Sequence, residues 1–246
     1  MSEPQQPTVV LVHGAFAESA SWNGVIRALY AEGVVSTAVA NPLRGLAGDA
    51  AYVRDVIASI EGPVVLVGHS YGGLVISEAS AGNDRVAGLV YVSAFTPSAG
   101  ESAFSLSASE PGSTLGDAIV PRPLAGGGVE FAIDRAKFRD QFAADVDVQT
   151  AGLMGATQRP VTEAALRDPV QAVAPGWTDR PSWHVWGAED RNIPAAVARA
   201  GAERAGARAA VELAGASHAT PVSRPEEVAA LILQAVRALA DERVAA

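Results

Sequence analysis

The sequence predicts an α/β protein built on a mostly parallel sheet of about six strands, with helices on both faces. Short apolar runs rich in β-branched residues alternate with stretches whose apolar residues recur at helical intervals, a pattern typical of parallel strands joined by crossover helices. The apolar runs are nearly continuous, as in strands that are covered on both faces. The length of 246 residues and the hydrophobic share of 49% suit one domain with a sizeable core, or two small domains.

The first part of the chain contains four of the predicted strands. The run TVVLV, residues 8–12, is short and β-branched, which predicts a buried strand. The next segment, 21–33, spaces its apolar residues at helical intervals and stops at Gly33, which predicts a helix. The same alternation then continues as strand 34–40, helix 49–60, strand 63–67, helix 74–82 and strand 86–92.

The last part of the chain returns to this alternation. The runs SWHVWG, residues 182–187, and RAAVEL, residues 208–213, read as two more strands. Helical spacing predicts helices over 195–206 and 225–242. The two parts together supply the six strands of the predicted sheet.

The segment from Pro97 to Trp177 interrupts the pattern, since it contains no clear strand. It opens with a loop rich in serine, glycine and proline and then has helix-like stretches at 134–146 and 161–168. A structureless insertion of this length is unusual in a compact domain. We therefore predict that residues 97–177 form an inserted, small and mainly helical cap, and that residues 1–96 and 178–246 form the core.

A serine lies among glycines directly after the third apolar run. In VVLVGHSYGG, residues 64–73, Gly68, Ser70 and Gly72 fit the pattern G-x-S-x-G, the nucleophile elbow of the α/β hydrolases. Glycines leave room for the strained turn, which lifts the serine hydroxyl clear of the sheet edge. The alternative is an ordinary glycine turn. The readable strand before the motif and the helix after it favour the elbow, which makes Ser70 the predicted nucleophile.

An unassisted serine hydroxyl is a poor nucleophile and needs a base that an acid orients. In the α/β-hydrolase order the acid and then the histidine follow the serine. Two histidines come after Ser70. His184 lies inside an apolar strand, where a structural or surface histidine is the simpler interpretation. His218 lies in GASHATP, a loop after the last strand, where parallel sheets build their sites, and is the predicted base.

The acid is expected on a loop after an earlier strand. GAEDRNIP supplies Asp190, which precedes a turn that ends in Pro194, and its neighbour Glu189 is the rival candidate. An aspartate that merely caps a loop is the alternative interpretation of Asp190. Asp168 lies in the predicted cap and Asp179 just beyond its end, and both are expected to be solvated. We predict that Asp190 is the acid.

The oxyanion of an acyl-transfer reaction needs two N–H donors aimed at the developing charge. The first is the N–H of Tyr71, the residue after the nucleophile, and the second comes from the loop after the first strand. In that loop, VHGAFAES, Gly14 allows a close backbone approach. The N–H of Ala15 is the predicted donor and that of Phe16 the alternative. His13 is interpreted as structural.

Charge and composition exclude several classes of function. The formal net charge of −9 argues against a surface for nucleic acid or for an anionic membrane. The absence of cysteine excludes disulfides, thiolate metal sites and a cysteine nucleophile. No metal or cofactor is predicted. Residues 1–12 lack the features of a signal peptide and no apolar run of about 18 residues occurs, so we expect a cytoplasmic protein without a membrane partner. The oligomeric state is open, and a homodimer is one option.

These motifs resemble those of a known group. TVVLVHGAF with Trp22 soon after it, VVLVGHSYGG, AFTPSAGES, GAEDRNIP and GASHATP before a final helix are similar to the compact α/β hydrolases, and in particular to plant methyl-ester hydrolases, hydroxynitrile lyases and bacterial carboxylesterases. The resemblance covers essentially the whole chain. It implies a six-stranded parallel sheet, a helical cap, no cofactor and the triad Ser70, Asp190 and His218.

The sequence also departs from some members of this group. The lyases have threonine in place of Gly14 and lysine in place of Ala219, so cyanohydrin cleavage is disfavoured. The serine nucleophile disfavours the related haloalkane dehalogenases and epoxide hydrolases, whose nucleophile is aspartate. Many cofactor-free perhydrolases have methionine where this chain has Tyr71, which weakens the interpretation of the chain as a perhydrolase.

We therefore expect a carboxylesterase that acts on small to medium, rather apolar esters. The alternatives are a hydrolase of a thioester, lactone or amide, a hydroxynitrile-lyase-like enzyme, and a ligand-binding protein on the same scaffold. Aromatic and apolar residues near the predicted site are the candidate pocket walls, although those in the cap have an equally good interpretation as cap core. The candidates are Phe16, Trp22, Tyr71 and Phe95 from the sheet edge and Phe131, Phe138, Phe142 and Met154 from the cap.

Overall fold

The structure is a computed structural model that describes residues 6–245. Nine strands occur within these residues: β1 (Thr8–Val12), β2 (Ser36–Val39), β3 (Val64–His69), β4 (Val86–Val92), β5 (Ile119–Pro123), β6 (Val129–Ile133), β7 (Val161–Thr162), β8 (Ser182–Gly187) and β9 (Ala209–Leu213).

Ten α-helices are distributed over the same described residues: α1 (Asn23–Ala31), α2 (Leu46–Ala58), α3 (Gly72–Ser80), α4 (Ala103–Ser107), α5 (Phe138–Phe142), α6 (Val148–Thr157), α7 (Glu163–Arg167), α8 (Ala195–Arg204), α9 (Thr220–Ser223) and α10 (Pro225–Ala245). Short 3-10 turns cover Ser19–Trp22, Leu115–Asp117 and Gly176–Thr178.

Six of the strands form one parallel sheet in the order β2-β1-β3-β4-β8-β9. These are the six strands that the sequence predicts, and each predicted end lies within two residues of the observed one. The α/β fold class and the parallel sheet are thereby confirmed. Because all six strands run in the same direction, their carboxyl ends meet at one edge, where parallel sheets hold their sites.

Alternate side chains of the central strands enter two apolar layers, as the two-residue period of a strand requires. Val10 and Val12 of β1 belong to the layer that α2 and α3 cover. Val9 and Leu11 belong to the layer that α1 and α10 cover. The central strands β1, β3, β4 and β8 are therefore buried on both faces, which explains why they are nearly continuous apolar runs, whereas the edge strands β2 and β9 stay partly exposed.

The insertion between β4 and β8 contains helices α4 to α7 and a second sheet. In that sheet β5, β6 and β7 pair antiparallel in this order. The prediction that segment 97–177 contains no strand is wrong. Pro121 and Pro123 of β5 lack the N–H of a central strand, so the sequence pattern disfavours a strand, but β5 lies at the sheet edge, where proline is tolerated. β7 has two residues, too few for any sequence period.

Candidate active site

Ser70 lies in the tight turn between β3 and α3. Its φ of 57° is in the left-handed region, which residues with a side chain rarely adopt. The Ser70 N–H donates to the carbonyl of Val92 (3.3 Å), and the Gly73 N–H donates to the carbonyl of Ser70 (2.9 Å). A Cβ at Gly68 would lie 2.6 Å from the carbonyl oxygen of Gly72, so this position requires glycine. The strand–turn–helix context that the G-x-S-x-G motif needs is present.

Asp190 and His218 form a buried hydrogen-bonded pair at the same edge of the sheet. Asp190 follows β8 and His218 follows β9, and Nδ1 of the imidazole lies 2.6 Å from Oδ2 of the carboxylate. The other oxygen, Oδ1, accepts the N–H groups of Asn192 (2.8 Å) and Ile193 (2.9 Å). A carboxylate accepts, so Nδ1 donates, and in the neutral form of the imidazole Nε2 is then the acceptor. The rival Glu189 is exposed.

The insertion holds the loop that carries His218. The Ser217 hydroxyl lies 2.5 Å from Oδ1 of Asp145 and 3.3 Å from the carbonyl oxygen of Phe142. The Phe142 ring meets the His218 ring edge-on, with 4.8 Å between the ring centroids. The position of the imidazole therefore depends on residues outside the predicted core.

Ser70 and His218 are not joined by a hydrogen bond. Nε2 of His218 is buried and has no hydrogen-bond partner among residues 6–245. A proton can pass from the serine to the imidazole only when its hydroxyl bonds to Nε2, and such bonds commonly tighten when substrate binds. Because no other described group bonds to Nε2, this nitrogen is available to accept that proton.

Two backbone N–H groups beside Ser70 are unengaged. The Phe16 N–H donates to the carbonyl of Arg159 (3.1 Å) and is therefore occupied. The N–H groups of Ala15 and Tyr71 donate to no group among residues 6–245, and both residues line the cavity that Ser70 lines. This geometry favours Ala15 over Phe16 as the second oxyanion donor.

Gly14 allows the oxyanion loop to approach the elbow. A Cβ at Gly14 would lie 2.5 Å from Cβ of Ser70 and 2.6 Å from the carbonyl oxygen of His69. Both distances are shorter than any normal contact, and the second involves backbone that cannot turn aside. A side chain at Gly14 would therefore push the loop of Ala15 away from the nucleophile.

A cavity of about 310 Å³ opens beside Ser70. Three of the predicted pocket residues line it, namely Phe16, Tyr71 and Phe95. The Tyr71 hydroxyl donates to Oδ2 of Asp49 (2.9 Å), which fixes the ring as a wall of the cavity. Burial raises the pKa of both groups, well above its ordinary value for Tyr71, so the phenol stays protonated.

The structure does not bring the other five predicted pocket residues to this cavity, and that part of the prediction is corrected. Trp22 packs with the layer of α1 and α10, on the opposite face of the sheet. Phe138 and Phe142 are fully buried and stack on each other with 5.2 Å between their ring centroids. Phe131 and Met154 pack against the same core layer as these rings. Phe131, Phe138, Phe142 and Met154 are thus core residues, the alternative interpretation given above. The sequence could not decide this, because apolar spacing along a helix does not show which neighbour the apolar face contacts.

Other residues, which the sequence pattern did not single out, form the cavity wall. The insertion contributes Ala103, Phe104, Leu115, Ile119 and Leu166. Helix α4 has five residues, too few for a readable helical period. Asn192 and Ile193 line the cavity from the loop of Asp190. Their place directly after the predicted acid, at the carboxyl edge of the sheet, was the signal that could have identified them.

Metal and membrane features are absent within the described part of the chain. No group of three or more histidine, aspartate or glutamate side chains is placed to hold a metal ion in residues 6–245. No helix in that range is long and apolar enough to cross a membrane.

The other three histidines are buried and neutral. Burial lowers the pKa of His13 to about 4 and that of His184 to about 3. Burial also lowers the pKa of His69 well below its ordinary value, and Nε2 of His69 lies 3.0 Å from the carbonyl oxygen of His218. His184 stacks on Tyr91 with 4.6 Å between the ring centroids. The burial of both rings and the stacking of His184 support the structural interpretation of His13 and His184.

Because these histidines are buried as neutral groups, we expect the free energy of unfolding to fall as the pH is lowered. The unfolded chain takes up their protons near pH 6.5, before the folded chain does, so the stability they contribute is complete above that pH and is lost as the pH falls towards 4 and 3. His184→Gln should reduce the slope of unfolding free energy against pH by about 1.4 kcal/mol per pH unit between pH 6 and 4. Urea unfolding at several pH values measures the slope. Parallel curves for parent and variant would contradict the prediction.

Comparisons with known proteins agree with this architecture. Residues 9–231 match the family model described as "Alpha/beta hydrolase family". A curated relative, the carbendazim hydrolyzing esterase of Nocardioides sp. (strain SG-4G), is 44% identical over an alignment of 63 positions that covers 22% of this chain and 25% of that protein. The match therefore spans only about a quarter of the length of this relative.

Solved structures extend the similarity over nearly the whole chain. Polyneuridine aldehyde esterase superposes with a TM-score of 0.80 at 21% identity and covers 94% of this chain and 99% of its own. A pyrethroid hydrolase superposes with a TM-score of 0.76 at 25% identity and covers 94% of this chain and 98% of its own. Because the family model spans most of the sequence and the fold agrees with it, the chain belongs to the alpha/beta hydrolase family.

Proposed function

We propose that the protein is a serine carboxylesterase that cleaves small to medium, rather apolar esters through an acyl-enzyme. One observation carries the proposal. A serine in a strained turn, a buried Asp190–His218 pair and two unengaged backbone N–H groups lie at one edge of the sheet, and the serine and the two residues that carry these N–H groups line an apolar cavity. Acyl transfer needs each of these parts: a nucleophile, an oriented base, oxyanion donors and a place for the substrate.

In the proposed reaction the Ser70 oxygen attacks the ester carbonyl carbon while its proton passes to Nε2 of His218. Asp190 accepts from Nδ1 and stabilises the imidazolium that forms. The N–H groups of Ala15 and Tyr71 hold the oxyanion, at the amino end of α3, where the helix dipole favours negative charge. The imidazolium then protonates the leaving alcohol. Water, deprotonated by the same imidazole, then attacks the acyl carbon; the bond to the Ser70 oxygen breaks, the imidazolium returns the proton to that oxygen, and the acid is released.

The cavity supports the proposed size and polarity of the substrate. Its volume of about 310 Å³ is at the lower end of the range of small-molecule pockets. Phe95, Ile119 and Leu166 contribute apolar surface around the nucleophile. An apolar group of modest size can fill this space and gains free energy by leaving water.

The relatives and the loop of Gly14 support ester hydrolysis over lyase chemistry. Two of the similar proteins described above are named esterases and the third a pyrethroid hydrolase. The lyases have threonine at the position of Gly14, and here a Cβ would collide with Ser70 and His69. Ala219 supplies no charge beside His218, where the lyases have lysine.

A chain-length series of 4-nitrophenyl esters, from acetate to decanoate, tests the proposed activity. We expect hydrolysis with a peak at short to medium acyl chains. Ile119→Ala or Leu166→Ala enlarges the cavity and should shift the preference towards longer chains by roughly tenfold in kcat/KM. Leu153→Ala, a change of an exposed side chain that does not line the cavity, is the matched control. Absence of ester turnover would contradict the proposed function, and an unchanged optimum in both variants would contradict the assigned wall.

A further inference from the structure

Asn192 places a polar side chain in the largely apolar wall of the cavity. It lies two residues after Asp190, lines the cavity together with Ser70 and is 3% exposed. Its N–H donates to Oδ1 of Asp190 (2.8 Å), and its carbonyl oxygen accepts the Ser113 hydroxyl (3.0 Å). The backbone of this residue is therefore fixed on both sides.

A relay of hydrogen bonds determines which way the side-chain amide of Asn192 points. Nε2 of Gln141 donates to the carbonyl oxygen of Arg191 (2.9 Å) and to Oδ1 of Asn192 (2.8 Å). A backbone carbonyl can only accept, so the atom of Gln141 at this point must be its NH2 group. Thr114 donates to the other end of Gln141 (2.9 Å). Asn192 must therefore present its oxygen to Gln141 and turn its NH2 group away.

The NH2 group of Asn192 is left without a partner. Nδ2 makes no hydrogen bond to any residue in the range 6–245, yet it is not among the fully buried side-chain atoms of that range that lack a partner, so part of it is accessible. Because the residue is almost wholly buried and lines the cavity beside Ser70, we expect the accessible part of Nδ2 to face that cavity. A substrate that displaces water from this surface leaves an amide donor unpaired unless it brings an acceptor.

We propose that Asn192 is a specificity-determining residue that donates a hydrogen bond to a second acceptor oxygen of the substrate. The preferred substrates are then esters that carry a keto or alkoxy oxygen in addition to the scissile group. The inference rests on the proposed esterase function and adds a substrate class to it. The oxygen of the scissile carbonyl is not the partner of Asn192, because in the proposed reaction the N–H groups of Ala15 and Tyr71 donate their hydrogen bonds to it. A neutral amide donor selects oxygen acceptors and gives no attraction for cations.

Matched pairs of esters test this inference. We would compare ethyl 3-, 4- and 5-oxohexanoate with ethyl hexanoate, and 2-methoxyethyl butanoate with butyl butanoate, and take the ratio of kcat/KM within each pair. The parent protein should favour at least one oxygen-bearing ester. Asn192→Leu should lower that ratio by roughly threefold to tenfold, the value of one neutral hydrogen bond. Asn192→Asp retains the acceptor for Gln141 but removes the donor, and it should lower the same ratio.

Two further variants separate the amide from general effects on the loop. Gln141→Leu removes the group that orients Asn192, so the ratio should fall, but less than in Asn192→Leu. Arg191→Gln changes an exposed side chain of the same loop that does not line the cavity, and it should leave the ratio unchanged. Equal ratios in the parent and both Asn192 variants, for every pair, would overturn the inference while the proposed esterase function stands.

Failure of the proposed function would give a different result, namely no turnover of any ester. In that case the binding of the same intact esters tests whether Asn192 recognises their second oxygen. We would measure their Kd by calorimetry with Ser70→Ala and with the double variant Ser70→Ala/Asn192→Leu. The preference for the oxygen-bearing ester should again fall by roughly threefold to tenfold in the double variant. Unchanged relative affinities would overturn the inference.

Discussion

Replacing Ser70 with alanine is expected to lower kcat for 4-nitrophenyl acetate by roughly 10⁴- to 10⁶-fold, as loss of the nucleophile does in serine hydrolases. Alanine retains the Cβ and the left-handed backbone of Ser70, so the melting temperature should stay close to that of the parent protein. Ser70→Gly should be equally inactive, but about 1 kcal/mol more stable, because glycine adopts a φ of 57° without strain.

Covalent labelling provides a second readout of the same prediction. A fluorophosphonate should add its mass to the parent protein at Ser70 and leave Ser70→Ala unlabelled. Ser59→Ala removes an exposed hydroxyl of α2's carboxyl end and is the control that should label and turn over normally. Substantial activity in Ser70→Ala would remove this residue from the mechanism.

Asp190→Asn should lower kcat by about 10⁴-fold, since the amide imposes the wrong tautomer on His218. The N–H groups of Asn192 and Ile193 both point at one oxygen of residue 190. They would retain the oxygen of the new amide and turn its NH2 group towards Nδ1 of His218. Nδ1 must then accept, Nε2 carries the proton, and the imidazole can no longer take one from the serine.

Glu189→Gln is the matched control for this change. Glu189 is the neighbour in sequence, but it is exposed, and Asp190 bonds to His218. Its amide variant should retain kcat within about twofold of the parent. Circular dichroism and melting temperature check that both variants are folded. The opposite ranking of the two variants would assign the acid to Glu189 and contradict the proposed pairing.

The parts of the fold that the sequence predicts well are those with a local cause. Strands buried on both faces have to be continuous apolar runs, so the four central strands β1, β3, β4 and β8 could be read directly. The edge strands β2 and β9 are partly exposed, but their short runs between two helices still fit the alternation. The tight turn at Ser70 could be predicted because it excludes side chains at Gly68 and Gly72. The proximity of His218 and Asp190 could be predicted from position, since loops at the carboxyl edge of a parallel sheet meet there.

The cavity wall could not be predicted, because it depends on contacts between segments that are distant in sequence. Phe138 and Phe142 have the spacing of a helix face, but that face packs into the core layer that the insertion shares with the main sheet and, through Phe142, against His218. Ile119 lies on a proline-containing edge strand that no sequence period indicates. The orientation of Asn192 depends on Gln141, 51 residues earlier in the chain.

The contacts of the insertion with the loop of His218 affect how hydrolases of this kind can be recombined. Exchanging residues 97–177 for a segment of another family member would also replace Phe142 and Asp145, which hold that loop. It would replace Arg159 as well, whose carbonyl engages the loop after β1. Exchanging the whole insertion would therefore change the substrate range and the turnover rate at the same time. A chimera designed to alter only the substrate range would have to retain Phe142, Asp145 and Arg159 and exchange only the segments around α4 and β5.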